Sequence, residues 1–120
     1  MNPLQGSALQ LEVDEVLESG PTVPKLFAAH TRSGEHYLVA HASGEDRTGT
    51  WMCAPISEFA LAFVRNGRAE VRDAFAHSAT GAVDIVTIAP DGRCTESVKM
   101  CNELRDADLP SIVCHPQLCA

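Results

Sequence analysis

The sequence is poor in aromatic residues, in basic charge and in long apolar runs, and each shortage removes a class of protein. No stretch approaches the roughly 18 consecutive apolar residues that a membrane-spanning helix needs, so no membrane partner is expected. Residues 1–10 lack a basic start leading into an apolar run, so no secretory leader is expected there. Only 9 Lys and Arg stand against 16 Asp and Glu, a formal charge of -7. A protein that neutralises nucleic-acid phosphates carries the opposite balance, and direct nucleic-acid binding is therefore not expected. Also missing are G-x-S-x-G, the phosphate-binding P-loop, G-x-G-x-x-G and H-E-x-x-H, each of which sets reactive groups at a fixed spacing. Aromatic residues make up 5%, and Phe27, Tyr37, Trp51, Phe59, Phe63 and Phe75 all fall in one window, where the centre of the core is expected.

What is present suits one globular domain: 120 residues, 45% of them apolar and 21% charged. The five cysteines, Cys53, Cys94, Cys101, Cys114 and Cys119, cannot all pair within one chain. Reduced thiols and cytoplasmic residence are the expectation.

Local patterns predict an α+β fold in which an antiparallel β-meander of four or five strands is covered on one face by one or two short helices. Residues 1–10 are polar and expected to be flexible, 11–107 form the single domain, and 108–120 form an extended Cys-bearing tail. Residues 11–18 fit a strand through Leu11 and Val13, and a helix face through Val13, Val16 and Leu17. The runs 25–31, 36–43 and 50–56 read as three strands joined by polar turns. Ser57 is placed to cap a helix with Glu58 in its first turn and Asn66-Gly67 at its end. A second helical turn is expected over 70–77, a strand over 82–88 and a turn at Ala89-Pro90-Asp91-Gly92. Val98, Cys101 and Leu104 share a three-residue spacing that predicts a short helix over 95–105.

The histidines can be tested against hairpin geometry. A two- or four-residue turn around Ser33-Gly34 places His30 opposite Tyr37 and Leu26 opposite His41. That register puts Leu26, His30, Tyr37, Val39 and His41 on one face and turns Phe27, Ala29, Leu38 and Ala40 to the core. His30 and His41 then lie on the order of 13 Å apart along the ladder, too far to share a zinc ion. A three-residue turn instead sets His30 opposite His36; it requires its own bulge, so the even register is the expectation. His30, Tyr37 and His41 are thus candidates for an interaction face. Asp14, Glu15 and Glu18 join them as an acidic face if their segment is helical. No catalytic residue and no cofactor are assigned. Cys94, Cys101, Cys114, His115 and Cys119 could supply soft metal ligands, but their gaps depart from the short paired spacing of structural zinc sites.

Residues 24–75 carry an ordered series of features. Lys25-Leu26-Phe27 follows Gly20-Pro21, then come Tyr37-Leu38-Val39, the acidic turn Glu45-Asp46, and Trp51 running into Pro55-Ile56-Ser57. Leu61, Asn66-Gly67, Val71-Arg72-Asp73-Ala74 and, near the end, Asp108-Leu109-Pro110 complete it. This series resembles an uncharacterised bacterial domain family of unknown function. The resemblance implies an α+β domain with a curled antiparallel sheet and carries no activity. The functional expectation is a non-enzymatic protein-interaction or regulatory module whose acidity favours a basic protein partner. A bacterial or phage setting, defence or counter-defence included, is compatible with it. The alternatives are a small metal-binding protein or enzyme using the sheet-face histidines and tail cysteines, and a homo-oligomeric structural protein, a homodimer being its simplest form, that buries a sheet edge against its own copy.

Overall fold

From Leu26 onward, β-branched and aromatic runs are punctuated by glycines that tolerate positive φ, and the chain folds there into successive hairpins. A computed structural model describes residues 2–4, 6–45 and 47–110. Strands β1 (Glu12–Glu18), β2 (Leu26–His30), β3 (His36–Ser43), β4 (Gly49–Pro55), β5 (Ala82–Ile88) and β6 (Cys94–Met100) pair in sequence order, each antiparallel to the next. Helices α1 (Glu58–Arg65) and α2 (Val71–Ala76) bridge β4 and β5. The architecture is therefore an α+β meander with six strands rather than four or five. The added strand is β6, where the spacing of Val98, Cys101 and Leu104 predicted a helix. Among the described residues, short 3-10 turns follow it at Cys101–Glu103 and Asp106–Asp108.

The helix boundaries follow the local chemistry. Ser57 is extended and its Oγ accepts the Ala60 N–H at 3.0 Å, satisfying a donor that the first helical turn leaves open. Glu58 sits in the first turn and Arg65 in the last, each complementing the helix dipole. Asn66 caps the end and Gly67 takes φ +72°, the left-handed stop.

The β2–β3 turn decides the register. Thr31 N–H bonds Glu35 O, Gly34 N–H bonds Thr31 O, and Gly34 takes φ +91°. This is a three-residue connection whose left-handed residue forms a bulge, and glycine makes it inexpensive. Leu26 therefore pairs with Ala40, Phe27 with Val39, Ala29 with Tyr37, and His30 with His36. The even register, with His30 against Tyr37, is overturned. The β5–β6 turn repeats the device: Ala89 N–H bonds Arg93 O and Gly92 takes φ +88°.

The corrected register divides the apolar residues between both faces. Leu26, Ala28, Leu38, Ala40, Met52 and Ala54 pack with Leu61, Val64, Val71 and Phe75 of the helices. Phe27, Ala29, Tyr37, Val39, Trp51, Cys53 and Val86 form a second cluster on the opposite face, with Leu4, Leu11 and Val23 upon it. Phe27 and Ala29 thus do not share a face with Leu38 and Ala40, and Tyr37 and Val39 are not on a polar side. Leu4 is fully buried although residues 1–10 read as a polar, flexible leader. No helix of the described residues is long and apolar enough to cross a membrane.

Candidate interaction surface

β1 closes one edge of the sheet, and its pairing with β2 breaks register between Val13 and Glu15 and again between Val16 and Glu18. Such bulges re-aim side chains. The first one frees Asp14 to reach His30, whose Nδ1 stands 2.6 Å from the Asp14 carboxylate. Glu12 approaches the other ring nitrogen at 3.4 Å. The His41 N–H bonds Lys25 O, so the odd positions of β2 carry the ladder's hydrogen bonds. His30 and His36 are then a non-hydrogen-bonded pair, the arrangement that brings cross-strand side chains closest. His36 Nε2 lies 3.0 Å from Glu58, at the start of α1. His30 with Glu12 and Asp14, and beside it on the ladder His36 with Glu58, thus form two neighbouring imidazole–carboxylate sets where β1, the β2–β3 hairpin end and α1 converge. Arg65 at the far end of α1 is held to Glu15 at 2.7 Å, tying the helix to the acidic edge.

α1 shows a second feature at this surface. Leu61 and Val64 point into the core, while Phe59 and Phe63, four residues apart, lie on the opposite side of the helix. Phe59 is 75% exposed, which for a phenyl ring is an unusual expense of apolar area in water. The two rings meet edge to face with centroids 5.0 Å apart, which presents them as one aromatic ridge.

The residues singled out from sequence are distributed differently. Asp14, Glu15 and Glu18 lie on a bulged strand, not on one helical face: Asp14 serves His30, Glu15 serves Arg65, and Glu18 pairs with Leu26 at the end of the ladder. Tyr37 is only 8% exposed, and burial, with Asp84 next and Glu35 after it, pushes its hydroxyl pKa upward. His41 stacks on Trp51 with ring centroids 4.6 Å apart, and its Nε2 donates to Thr48 O at 2.9 Å; it fastens the β3–β4 loop and stands apart from the other two imidazoles. Cys94 opens β6 and Cys101 follows its end, a separation of roughly 20 Å at strand rise. Those two thiols cannot ligate one ion. Cys114, His115 and Cys119 lie outside the described residues. Among the described residues no three His, Cys, Asp or Glu side chains are grouped to hold a metal. Cys53 is buried, and burial together with Asp84 and Glu96 raises its thiol pKa, leaving it protonated and unreactive.

Glu12, Glu58, Phe59 and Phe63 were absent from the sequence-derived set. The phenylalanines could have been found on a helical wheel, since a helix starting at Ser57 places them opposite Leu61 and Val64. The acidic partners of the histidines needed the three-residue turn and the β1 bulge, neither of which periodicity reveals.

Asp84 provides a pH test of this electrostatic picture. It pairs with Cys53 on β4 and Val98 on β6, and burial, reinforced by Glu96, raises its carboxyl pKa. A carboxylate raised in the folded state costs stability once ionised: the cost is absent below its unfolded value of about 3.9 and grows as pH rises through the folded value. Asp84→Asn is therefore expected to raise the melting temperature at pH 7, by no more than the equivalent of about 0.5 kcal/mol because the group is partly solvated. The gain should vanish toward pH 3 in a thermal-melt series; a constant offset at every pH would refute the assignment.

The chain belongs to the family of unknown function DUF6575, whose model matches residues 5–115. No curated protein and no solved structure matches it.

Proposed function

We propose that this member of the family is a non-enzymatic protein-interaction module, and that it binds through the surface formed by α1 and the acidic edge of β1. The observation that carries the reading is the solvent-exposed Phe59–Phe63 ridge beside a cluster of carboxylates. Exposed apolar patches mark interaction sites, and aromatic anchors carry much of the binding energy once a partner covers them. Glu12 and Glu58 are 78% and 80% exposed at their side chains, and Glu58 directly precedes Phe59 on α1, so this side of the molecule offers negative charge to a partner. The partner of matching chemistry is a basic protein segment that offers an apolar anchor to the phenyl rings. Charge of this kind accelerates encounter more than it tightens the final complex, so association should slow as salt is added.

The test compares affinity capture by the wild-type chain with capture by the Phe59→Ala/Phe63→Ala variant and by Glu12→Lys/Glu58→Lys. Loss of the aromatic ridge should weaken recovery of one partner at least about tenfold, the range of an interface hot spot. The charge variant should slow association in low salt and converge on wild type in high salt. A partner recovered equally by all three proteins would place the binding surface elsewhere.

A further inference from the structure

The two edges of the sheet are built differently. β1 carries two register breaks and the acids Glu12, Asp14, Glu15 and Glu18, features that discourage another strand from adding there. β6 has no register break and a single acid, Glu96, offset by Lys99. Its seven residues pair with β5 without a break, it contains no proline, and all but Cys94 are exposed, including Val98 at 65% and Met100 at 47%. The Ala89–Arg93 bond at the turn assigns the ladder's bonds to Arg93, Thr95, Ser97 and Lys99, so the backbone groups of Cys94, Glu96, Val98 and Met100 point outward. Among the outward N–H groups only that of Met100 has a partner among the described residues, the Glu103 carboxylate at 3.3 Å.

The geometry points to β6 as a self-recognition edge, on which a second copy of this chain adds its own β6 antiparallel about a two-fold axis through Ser97. The side chains select that copy and that register. Centring on Ser97 sets Glu96 opposite Val98 and Thr95 opposite Lys99, with no like charges facing. The N–H groups of Cys94, Glu96 and Val98 each meet a carbonyl of the other copy, and the Met100 N–H stays with Glu103. Sliding two residues one way sets Glu96 against Glu96, a direct repulsion. Sliding the other way removes Cys94 from the pairing and requires the Met100 N–H that Glu103 already holds. Glu96 is fixed in place because its carboxylate accepts the Ala8 N–H at 3.0 Å. The result is a continuous sheet with the α1 surface repeated at both outer ends, so this edge is separate from the surface proposed above. An edge-to-edge contact buries little area, and a micromolar dimer is expected.

The register yields a test of charge sign. Sedimentation and multi-angle light scattering across concentration should show wild-type chain passing from monomer to dimer. Val98→Lys places a cation opposite Glu96 of the other copy on both sides of the axis and should tighten the dimer roughly two- to tenfold. Val98→Glu should weaken it by at least as much. Val98→Pro removes only an outward N–H, leaves the β5 ladder intact, and should abolish the dimer with an unchanged circular dichroism spectrum. Phe59→Ala/Phe63→Ala should leave the mass unaffected, which separates this edge from the α1 surface. A chain that stays monomeric to about 0.5 mM, far above a micromolar dissociation constant, would overturn the proposal. So would a dimer that is indifferent to the sign of charge at position 98, or one lost only on removing the phenylalanines.

Discussion

Leu4→Ala is expected to cost about 2–5 kcal/mol, as much as truncating a leucine at the centre of a core. The residue lies in the largely polar segment 1–10, outside every strand and helix, and surface substitutions usually change stability by less than about 0.5 kcal/mol. The difference arises because, among the described residues, the second apolar face of the sheet has no helix over it. Phe27, Val39, Trp51 and Val86 are fully buried there, and Leu4, Leu11 and Val23 are what covers them. The segment that brings Leu4 into place is anchored by polar bonds. Asn2 donates to Leu11 O at 2.6 Å and accepts the Leu4 N–H at 2.9 Å, while Ala8 is held by Glu96. Urea unfolding should show a lower midpoint for Leu4→Ala with the slope retained, the sign of a weaker native state rather than a changed denatured one. Leu9→Ala, at a half-buried position on the same cluster, should lose distinctly less. A loss below about 0.5 kcal/mol for Leu4→Ala would mean that the segment does not cover the core.

The covered second face was legible in the sequence, but in a form easily taken for something else. A meander with one wet side alternates apolar and polar residues, whereas Leu26-Phe27-Ala28-Ala29, Tyr37-Leu38-Val39-Ala40 and Trp51-Met52-Cys53-Ala54 are unbroken apolar runs. Unbroken runs indicate burial on both sides. Reading one face as polar required sorting these residues by a register that depends on a single residue of turn length, and a one-residue slip moves every side chain to the other face. The elements that were read directly are those whose signals are local: the Ser57 cap, the Asn66-Gly67 stop, and the strands at 36–43 and 82–88. β6 escaped because it is exposed on both faces and so lacks the alternation that betrays a half-buried strand. The interaction surface was legible only in part. Asp14 and Glu15 were identified as charged groups, but their contacts with His30 and Arg65 follow from a β-bulge and from the packing of α1, both tertiary in origin.

Trp51→Ala is expected to cost about 3–5 kcal/mol, the largest single loss in the second cluster, and the loss has two separable parts. The indole is fully buried and leans on Phe27 with ring centroids 6.4 Å apart. Its Nε1–H also donates to Arg47 O at 3.0 Å, and His41, stacked on the same ring, donates to Thr48 O. One aromatic residue therefore fills the core and, with His41, holds the β3–β4 loop by adjacent carbonyls. Trp51→Phe keeps most of the packing and removes the Arg47 bond, so its cost should fall well below that of alanine, with about 1 kcal/mol of it coming from the lost hydrogen bond and the remainder from volume. Hydrogen exchange supplies a second readout. Thr48 N–H bonds Glu45 O within the loop, and its protection should fall in Trp51→Phe while the Val39 and Val86 amides stay protected. Equal losses for phenylalanine and alanine would mean that the carbonyl bond, not the buried ring, dominates at this position. A loop whose protection is unchanged in Trp51→Phe would show that His41 alone is enough to hold it.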